Sequence, residues 1–406
     1  MVLVRGPTNL TVHSSARYNK KWAIFGETHR ALVTCPPGQL SIPIHTYLRQ
    51  VFREHLDTVV DFFLESPVAN EEEEFNRTDT IDLSTLQEDF RNCLKIDKSL
   101  CNLPNVRVHY TDVRQTREME ALLAAPISWV ENTAIPQLLK IQNDVMHEQY
   151  FTRLDRAYEI IKAKEQELKG VLQSPLIKKL ATSIKLTKQL TDVPFPEVRL
   201  ALKEFWNDQI RAHMEVLTDA FAQPFPDNNN VEKRLGASSI LRQIEIELLK
   251  NRVRRWHITW INMTGRLLDV FTLARMFRCF APRAGLKLSG EPTHIFFYGG
   301  TLHAEGIRLF LQNYLPASSV TGAVVGKDMG FKCLEIPATT WPSFFSAFPP
   351  SASSYSSPCP VKPPKKAAEE EKKATTFKPP TIPPKTTEQA AETKVKKFKP
   401  PTRART

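Results

Sequence analysis

Trp22-Ala-Ile-Phe-Gly-Glu-Thr-His29 reads as a short buried strand that runs out through glycine into a carboxylate and an imidazole. A matching stretch lies far downstream: in His294-Ile-Phe-Phe-Tyr-Gly-Gly-Thr-Leu-His303 another apolar run meets glycine and, three residues on, histidine. Between them stands Thr58-Val-Val-Asp-Phe-Phe-Leu-Glu65, almost continuously apolar and closed by a carboxylate. Runs that are apolar on both parities suit strands covered on both faces, as in a parallel sheet.

Working outward, Ile44, Tyr47, Leu48, Val51, Phe52 and Leu56 recur at helical spacing. A short helix is expected over Leu83–Leu94, a third strand over Val106–Arg114, a fourth over Thr293–Tyr298, a helix over Thr301–Tyr314 and a last strand over Phe331–Ile336. The alternation predicts an α/β core with a mostly parallel sheet. Its first half is residues 21–115 and its second half 282–341. Residues 116–281 keep a helical pattern throughout and are expected to form a large all-helical insertion. Its segments are Thr116–Ala124, Val130–His147, Phe151–Leu172, Leu176–Leu190, Pro196–Phe221 and Val231–Phe280, the last long or broken. Residues 1–20 are polar and lack periodicity, so they read as a flexible arm.

From Pro342 onward the chain turns rich in Pro, Ser, Lys and Thr, with Phe377-Lys-Pro-Pro-Thr381 repeated as Phe398-Lys-Pro-Pro-Thr402. Such a stretch buries too little apolar surface to offset its ordering entropy, and residues 342–406 are expected to be a disordered basic tail. The tail also holds the charge. Residues 361–406 carry 11 Lys and 2 Arg against 5 Glu, a net +8 of the chain's +11. The near-neutral body argues against a nucleic-acid-binding fold and leaves the tail free to touch polyanions or a protein partner.

No apolar run approaches the ~20 residues that span a membrane, and the N-terminus has no secretory pattern. The six cysteines (Cys35, Cys93, Cys101, Cys279, Cys333, Cys359) show no metal-ligand spacing. They read as reduced thiols of a cytoplasmic protein.

Ligands of open parallel sheets bind beyond the carboxyl ends of the strands. The expected strands deliver Glu27, His29, Glu65, Asp112, Arg114 and His303 to that edge, with Gly26 and Gly300 allowing tight exits. His29, Glu65 and His303 could ligate a divalent transition ion such as Mn, Co, Fe or Zn. Without metal, the same set with Glu27 could make a histidine base polarised by carboxylates. The plainer readings are hydrogen-bonded loop histidines, a capping Glu65, and an Asp112–Arg114 ion pair. Asp269 and Arg275, six apart, do not share a helix face and read as structural. Gly322-Ala-Val-Val-Gly-Lys-Asp328 is too short for a phosphate loop and lacks its Ser/Thr.

These residues resemble the superfamily with paired G-x-x-H motifs, which includes TraB-type proteins, TIKI proteases, haem-binding ChaN-like lipoproteins and erythromycin esterases. Gly26 and His29 match the first motif, Glu65 the glutamate after the second strand, and Gly300 and His303 the last motif. Glu27 matches the G-E-x-H form of the ChaN-like branch. The helix Arg266–Arg275 lies where the family places an Arg/Asp-bearing helix. The resemblance covers about residues 20–115 and 260–315, and the layout looks similar to uncharacterised proteins of large nucleocytoplasmic DNA viruses. It implies a metal- or histidine-dependent hydrolase acting on ester or peptide bonds, with haem the less expected cofactor. The alternatives are a non-catalytic binding or virion-associated protein of host cytoplasm or virion, and tail-mediated nucleic-acid association.

Overall fold

Nine strands and nine α-helices are seen in the computed structural model, which describes residues 1–28, 35, 38, 40–67, 81–94, 103–112, 125–143, 149–173, 190–222, 239–280, 292–315, 318–325 and 332–348. In chain order the first part is β1 (Val2–Arg5), β2 (Asn9–Ser15), β3 (Lys20–Glu27), β4 (Ile42–Pro43), α1 (Ile44–Glu54), β5 (Val60–Pro67), α2 (Ile81–Leu94) and β6 (Val106–Asp112). Every described element between β6 and β7 is helical. These are α3 (Ala125–Trp129), a π-helical turn (Val130–Ala134), α4 (Ile135–Asn143), α5 (Tyr150–Gln173), α6 (Pro196–Ala222) and α7 (Ser239–Met276). The chain then gives β7 (His294–Gly300), α8 (Thr301–Asn313), β8 (Ser319–Val325), β9 (Cys333–Ile336) and α9 (Thr340–Phe345).

The main sheet has the order β6-β5-β7-β3-β2-β8. The neighbours β6, β5, β7 and β3 are parallel, and β2 and β8 add an antiparallel edge. The mixed α/β, mostly parallel reading therefore holds. The order carries a consequence for the site. β7 arrives late in the chain and fills the gap between β3 and β5, so its end lies between theirs.

Both faces of these strands are covered, which explains their unbroken apolar runs. Trp22, Ile24, Phe63, Ile295 and Phe297 join the core shared with α4–α8. Ala23, Phe25, Phe62, Leu64, Phe296 and Tyr298 join the core under α1 and α2. Alternate residues of one strand thus feed opposite layers.

Four expectations need correction or fall outside the described residues. Residues 1–20 are not an arm: β2 pairs along its length with β3, and β1 forms a second sheet with β4 and β9. Only Leu10 and Val12 of β2 enter the core. On its other parity, Arg308 of α8 donates to Thr11 Oγ1 (2.8 Å) and to Asn9 Oδ1. Half the strand is polar because its partner is a guanidinium, and the apolar signal is too thin to show. Deleting residues 1–16 is expected to abolish cooperative thermal unfolding followed by circular dichroism. Val4, Leu10 and Val12 are each worth about 1.5–3 kcal/mol when buried, which together rivals a domain's whole margin of about 5–15 kcal/mol. A loose arm would leave the transition unchanged.

The expected start of the tail at Pro342 is also too early. Trp341 and Phe344 are buried, Trp341 Nε1 donates to Tyr47 Oη at 2.5 Å, and Phe345 stacks on His294. Lys21 Nζ donates to the carbonyls of Ser343 (3.0 Å) and Ser346 (2.7 Å) at the end of α9. Phe344 and Phe345, inside the Pro- and Ser-rich stretch, and Trp341 just before it anchor the chain here. Residues 349–406, with both Phe-Lys-Pro-Pro-Thr repeats, lie outside the described residues, as do Thr116–Ala124 and most of Leu176–Leu190.

The four described cysteines, Cys35, Cys93, Cys279 and Cys333, are not reduced thiols. Cys35 and Cys333 form a disulfide across 298 positions, and Cys93 and Cys279 are disulfide-bonded too. Pairing this distant leaves no spacing pattern to read. Finally, α7 runs unbroken for 38 residues, and no described helix is long and apolar enough to cross a membrane.

Candidate functional site

β5 presents Asp61, Phe63 and Glu65 on one parity, the face covered by α7 and α8. Glu65 is the last of the three and stands at the carboxyl end of the sheet. β7 ends beside it, and α8 begins at once with Gly300 as its N-cap residue. That junction puts His303 in the first turn of α8, next to Glu65. His303 Nε2 lies 3.2 Å from Glu65 Oε1, and Gly300 N–H donates to Glu65 Oε2 at 2.5 Å. A carboxylate at a helix N-terminus is favoured both by the unsatisfied N–H groups and by the helix dipole.

The other ring nitrogen of His303 points to α7. Its Nδ1 donates to Asp269 Oδ1 at 2.7 Å, while Asp269 Oδ2 accepts from Arg266 Nη1 at 2.7 Å. Arg266 Nη1 also reaches the carbonyl of Leu302 at 3.3 Å. The result is a row of alternating charge: Glu65, His303, Asp269, Arg266. The row is buried, with Glu65 5% exposed, His303 4% and Asp269 1%.

Two glycines make the row possible by close approach. A Cβ at Gly299 would lie 2.7 Å from Glu65 Oε2. A Cβ at Gly306 would lie 1.9 Å from Asp269 Oδ2 and 2.0 Å from Arg266 Nη1. Gly26 serves a different neighbour, because a Cβ there would meet Asn9 Oδ1 at 2.5 Å.

Burial alone would lower the pKa of His303, but the adjacent Glu65 and Asp269 outweigh it and raise the ring to about 10. At neutral pH it is therefore an imidazolium that donates from both nitrogens. A second buried histidine on the same face shows the opposite case. His109 Nε2 donates to Asp61 Oδ1 at 3.0 Å and its Nδ1 accepts from Arg275 Nη2 at 3.2 Å. Burial pushes His109 down, and the nearby arginines help against the pull of Asp61. Arg107 grips the same Asp61 with two bonds of 2.6 and 2.9 Å. One histidine is held neutral and the other charged by the ratio of carboxylates to guanidiniums around them.

The remaining residues expected at the edge fall as follows. Glu27 is buried, but it follows the parity of Ala23 and Phe25. It therefore lies on the opposite face from Glu65, and its Oε2 accepts from Tyr298 Oη at 2.5 Å. Its carbonyl still touches the junction, accepting from Thr301 Oγ1 at 2.9 Å. Asp112 is buried at the end of β6, opposite Pro67 of β5. His29 and Arg114 lie outside the described residues. Asp269 and Arg266 join the row with Glu65 and His303, and Tyr298 joins Glu27 on the opposite face, although strand-end reasoning does not place them there. The signal for the first two is Arg266-Leu-Leu-Asp269, an i,i+3 pair on one helix face.

Among the described residues no group of three or more His, Cys, Asp or Glu side chains is gathered as around a metal ion. No family model matches the chain, and neither a curated protein nor a solved structure is significantly similar to it.

Proposed function

We propose that the chain is a hydrolase of ester or amide bonds whose chemistry is carried by Glu65 and His303 at the carboxyl edge of the sheet. The observation that carries this reading is the imidazolium of His303 held between two carboxylates, one at a helix N-terminus. Water attacks the carbonyl carbon as Glu65 takes its proton. The Nε2–H of His303 first stabilises the developing oxyanion and then protonates the leaving group. An acid with a pKa of about 10 suits leaving groups at least as basic as itself. Glu65 and His303 are already paired at 3.2 Å, so the proton on Glu65 passes to Nε2 and resets the site. Asp269 holds the ring in place and keeps its charge.

A second reading has one observation behind it. A separation of 3.2 Å between a ring nitrogen and a carboxylate oxygen also matches the edge between two ligands each about 2.0–2.2 Å from one ion. The Asp269–Nδ1 bond is the support that metal-bound histidines commonly have. Glu65 and His303 would then hold a divalent ion that activates water, with His29 as the third ligand. The helices between β6 and β7 we read as one insertion covering the face that bears Glu65.

With ethyl esters as substrates, whose alkoxide leaving groups are more basic than His303, His303→Ala and Glu65→Gln are each expected to lower kcat/KM by about 10²–10⁴, the usual weight of positioned acid–base groups. Unchanged turnover in both variants would remove the hydrolase reading. Loss of turnover on chelation, restored by one divalent ion, would select the second reading over the first.

A further inference from the structure

The N-terminal part of α7 has two unlike faces. Ile246, Leu249, Val253, Trp256 and Trp260 enter the helical core. Opposite them, Ile240, Ile244, Leu248 and Ile258 fall within an arc of about 80° at about 100° per residue, and each is between 48% and 66% exposed. Scattered apolar side chains on a surface are ordinary, whereas a row along one helix face marks an interaction surface. The same face carries charge in a fixed order. Glu247 comes first, Asn251 stands in the middle, and the exposed Arg254 and Arg255 follow. Gln142 Nε2 and Lys250 Nζ each donate to Glu247 Oε1 at 2.8 Å, which leaves Oε2 for a third donor. The side chains of Arg254 and Arg255 make no hydrogen bond or ion pair among the described residues.

The order is self-complementary about Asn251. Ile244 lies seven residues before it and Ile258 seven after. Glu247 lies four before it, and Arg254 and Arg255 lie three and four after. An antiparallel copy of α7, with Asn251 opposite Asn251, sets Ile244 against Ile258 and Glu247 against the two arginines, each contact twice. A parallel copy would set Glu247 against Glu247 and arginine against arginine, and like charges across an interface repel. We propose that this face of α7 is where two copies of the chain pair, antiparallel about a two-fold axis at Asn251. Closed pairs of identical chains use one self-complementary patch in this way. At 1.5 Å per residue the row from Ile240 to Ile258 is roughly 27 Å long. One helix face of that length buries less than the ~800 Å² per partner of a standard interface. The pair is therefore weak and forms at micromolar concentration or above. It does not rest on the hydrolase reading.

The test is sedimentation velocity on the full chain across a wide range of concentration, with circular dichroism to confirm that each variant is folded. Wild type is expected to pass from monomer to dimer as concentration rises. Ile244→Lys places a cation against Ile258 and near the facing arginines, and should weaken pairing about tenfold or more. Glu247→Arg alone, and Arg254→Glu/Arg255→Glu alone, each bring like charges face to face and should weaken pairing about tenfold. Mixed in equal amounts, these two charge variants should pair with each other within about threefold of wild type, because arginine again faces glutamate at both ends of the contact. A wild type that stays monomeric at every concentration would overturn the proposal. So would pairing that Ile244→Lys leaves unchanged, or charge variants that do not recover on mixing, since either result takes the contact away from this face of α7.

Discussion

Asp269→Ala is expected to lower the free energy of unfolding by about 3–5 kcal/mol, the range for removing one partner from a buried charged group. Asp269 is 1% exposed and accepts from two cations, Arg266 and His303, at 2.7 Å each. Without it the row holds two positive groups against Glu65 alone, deep in protein. Asp269→Asn should cost less. Its carbonyl oxygen can still accept from Arg266, but its amide can only donate toward His303 Nδ1. That forces the ring to give up its Nδ1 proton, so this variant should keep most of the stability while carrying a neutral His303. Gly306→Ala is the matching change from α8, since the new methyl would occupy the space of the Asp269 carboxylate. Urea unfolding followed by circular dichroism measures the stabilities, and the imidazole nitrogen resonances report the charge. If Asp269→Ala lies within about 1 kcal/mol of wild type, the charge row does not join α7 to α8. The aromatic contact of Phe310 with Phe277, the residue after the end of α7, then holds them instead.

The parts of this fold that show in the sequence are those with a local cause. Phe62, Phe63 and Leu64, or Ile295, Phe296 and Phe297, are apolar in succession because both sheet faces are covered, and period-free apolar runs are read directly. Glu65 and His303 are legible for a similar reason, because each is among the first polar groups after such a run. Their meeting follows from β7 lying between β3 and β5. What stays hidden depends on partners far away in the chain. Asn9, Thr11 and His13 look like a loop until Arg308 is placed above Asn9 and Thr11. Asp269 invites comparison with Arg275, six positions on, whereas its partners are Arg266 and, 34 positions away, His303. Glu27 and Glu65 look alike in sequence because both close strands. Parity separates them: Glu27 follows Phe25 into one layer and Glu65 follows Phe63 into the other.

The alkaline side of the stability profile should belong to His303. Its folded-state pKa of about 10 stands above the ordinary 6.5, so below pH 6.5 both folded and unfolded chains hold the proton and the full contribution is present. Between pH 6.5 and 10 the unfolded chain releases the proton while the folded chain keeps it. The unfolded state then binds fewer protons, and stability falls as pH rises. Above pH 10 the contribution is gone. The acid side has the opposite sign and other owners. Burial pushes His13 and His294 down to about 4. The folded chain resists protonating them, and stability falls as pH drops from 6.5 to 4. The two limbs meet near pH 6.5, where the urea midpoint should peak. His303→Gln keeps a polar side chain of similar reach and removes the titration. It should flatten the limb between pH 7 and 10 while leaving the acid limb in place. The expected loss along that limb in wild type is on the order of a few kcal/mol, since a tenfold difference in proton affinity between folded and unfolded chains corresponds to about 1.4 kcal/mol. An alkaline limb equally steep in His303→Gln would assign it to other groups. It would also mean that the ring between Glu65 and Asp269 does not carry the charge on which the proposed chemistry depends.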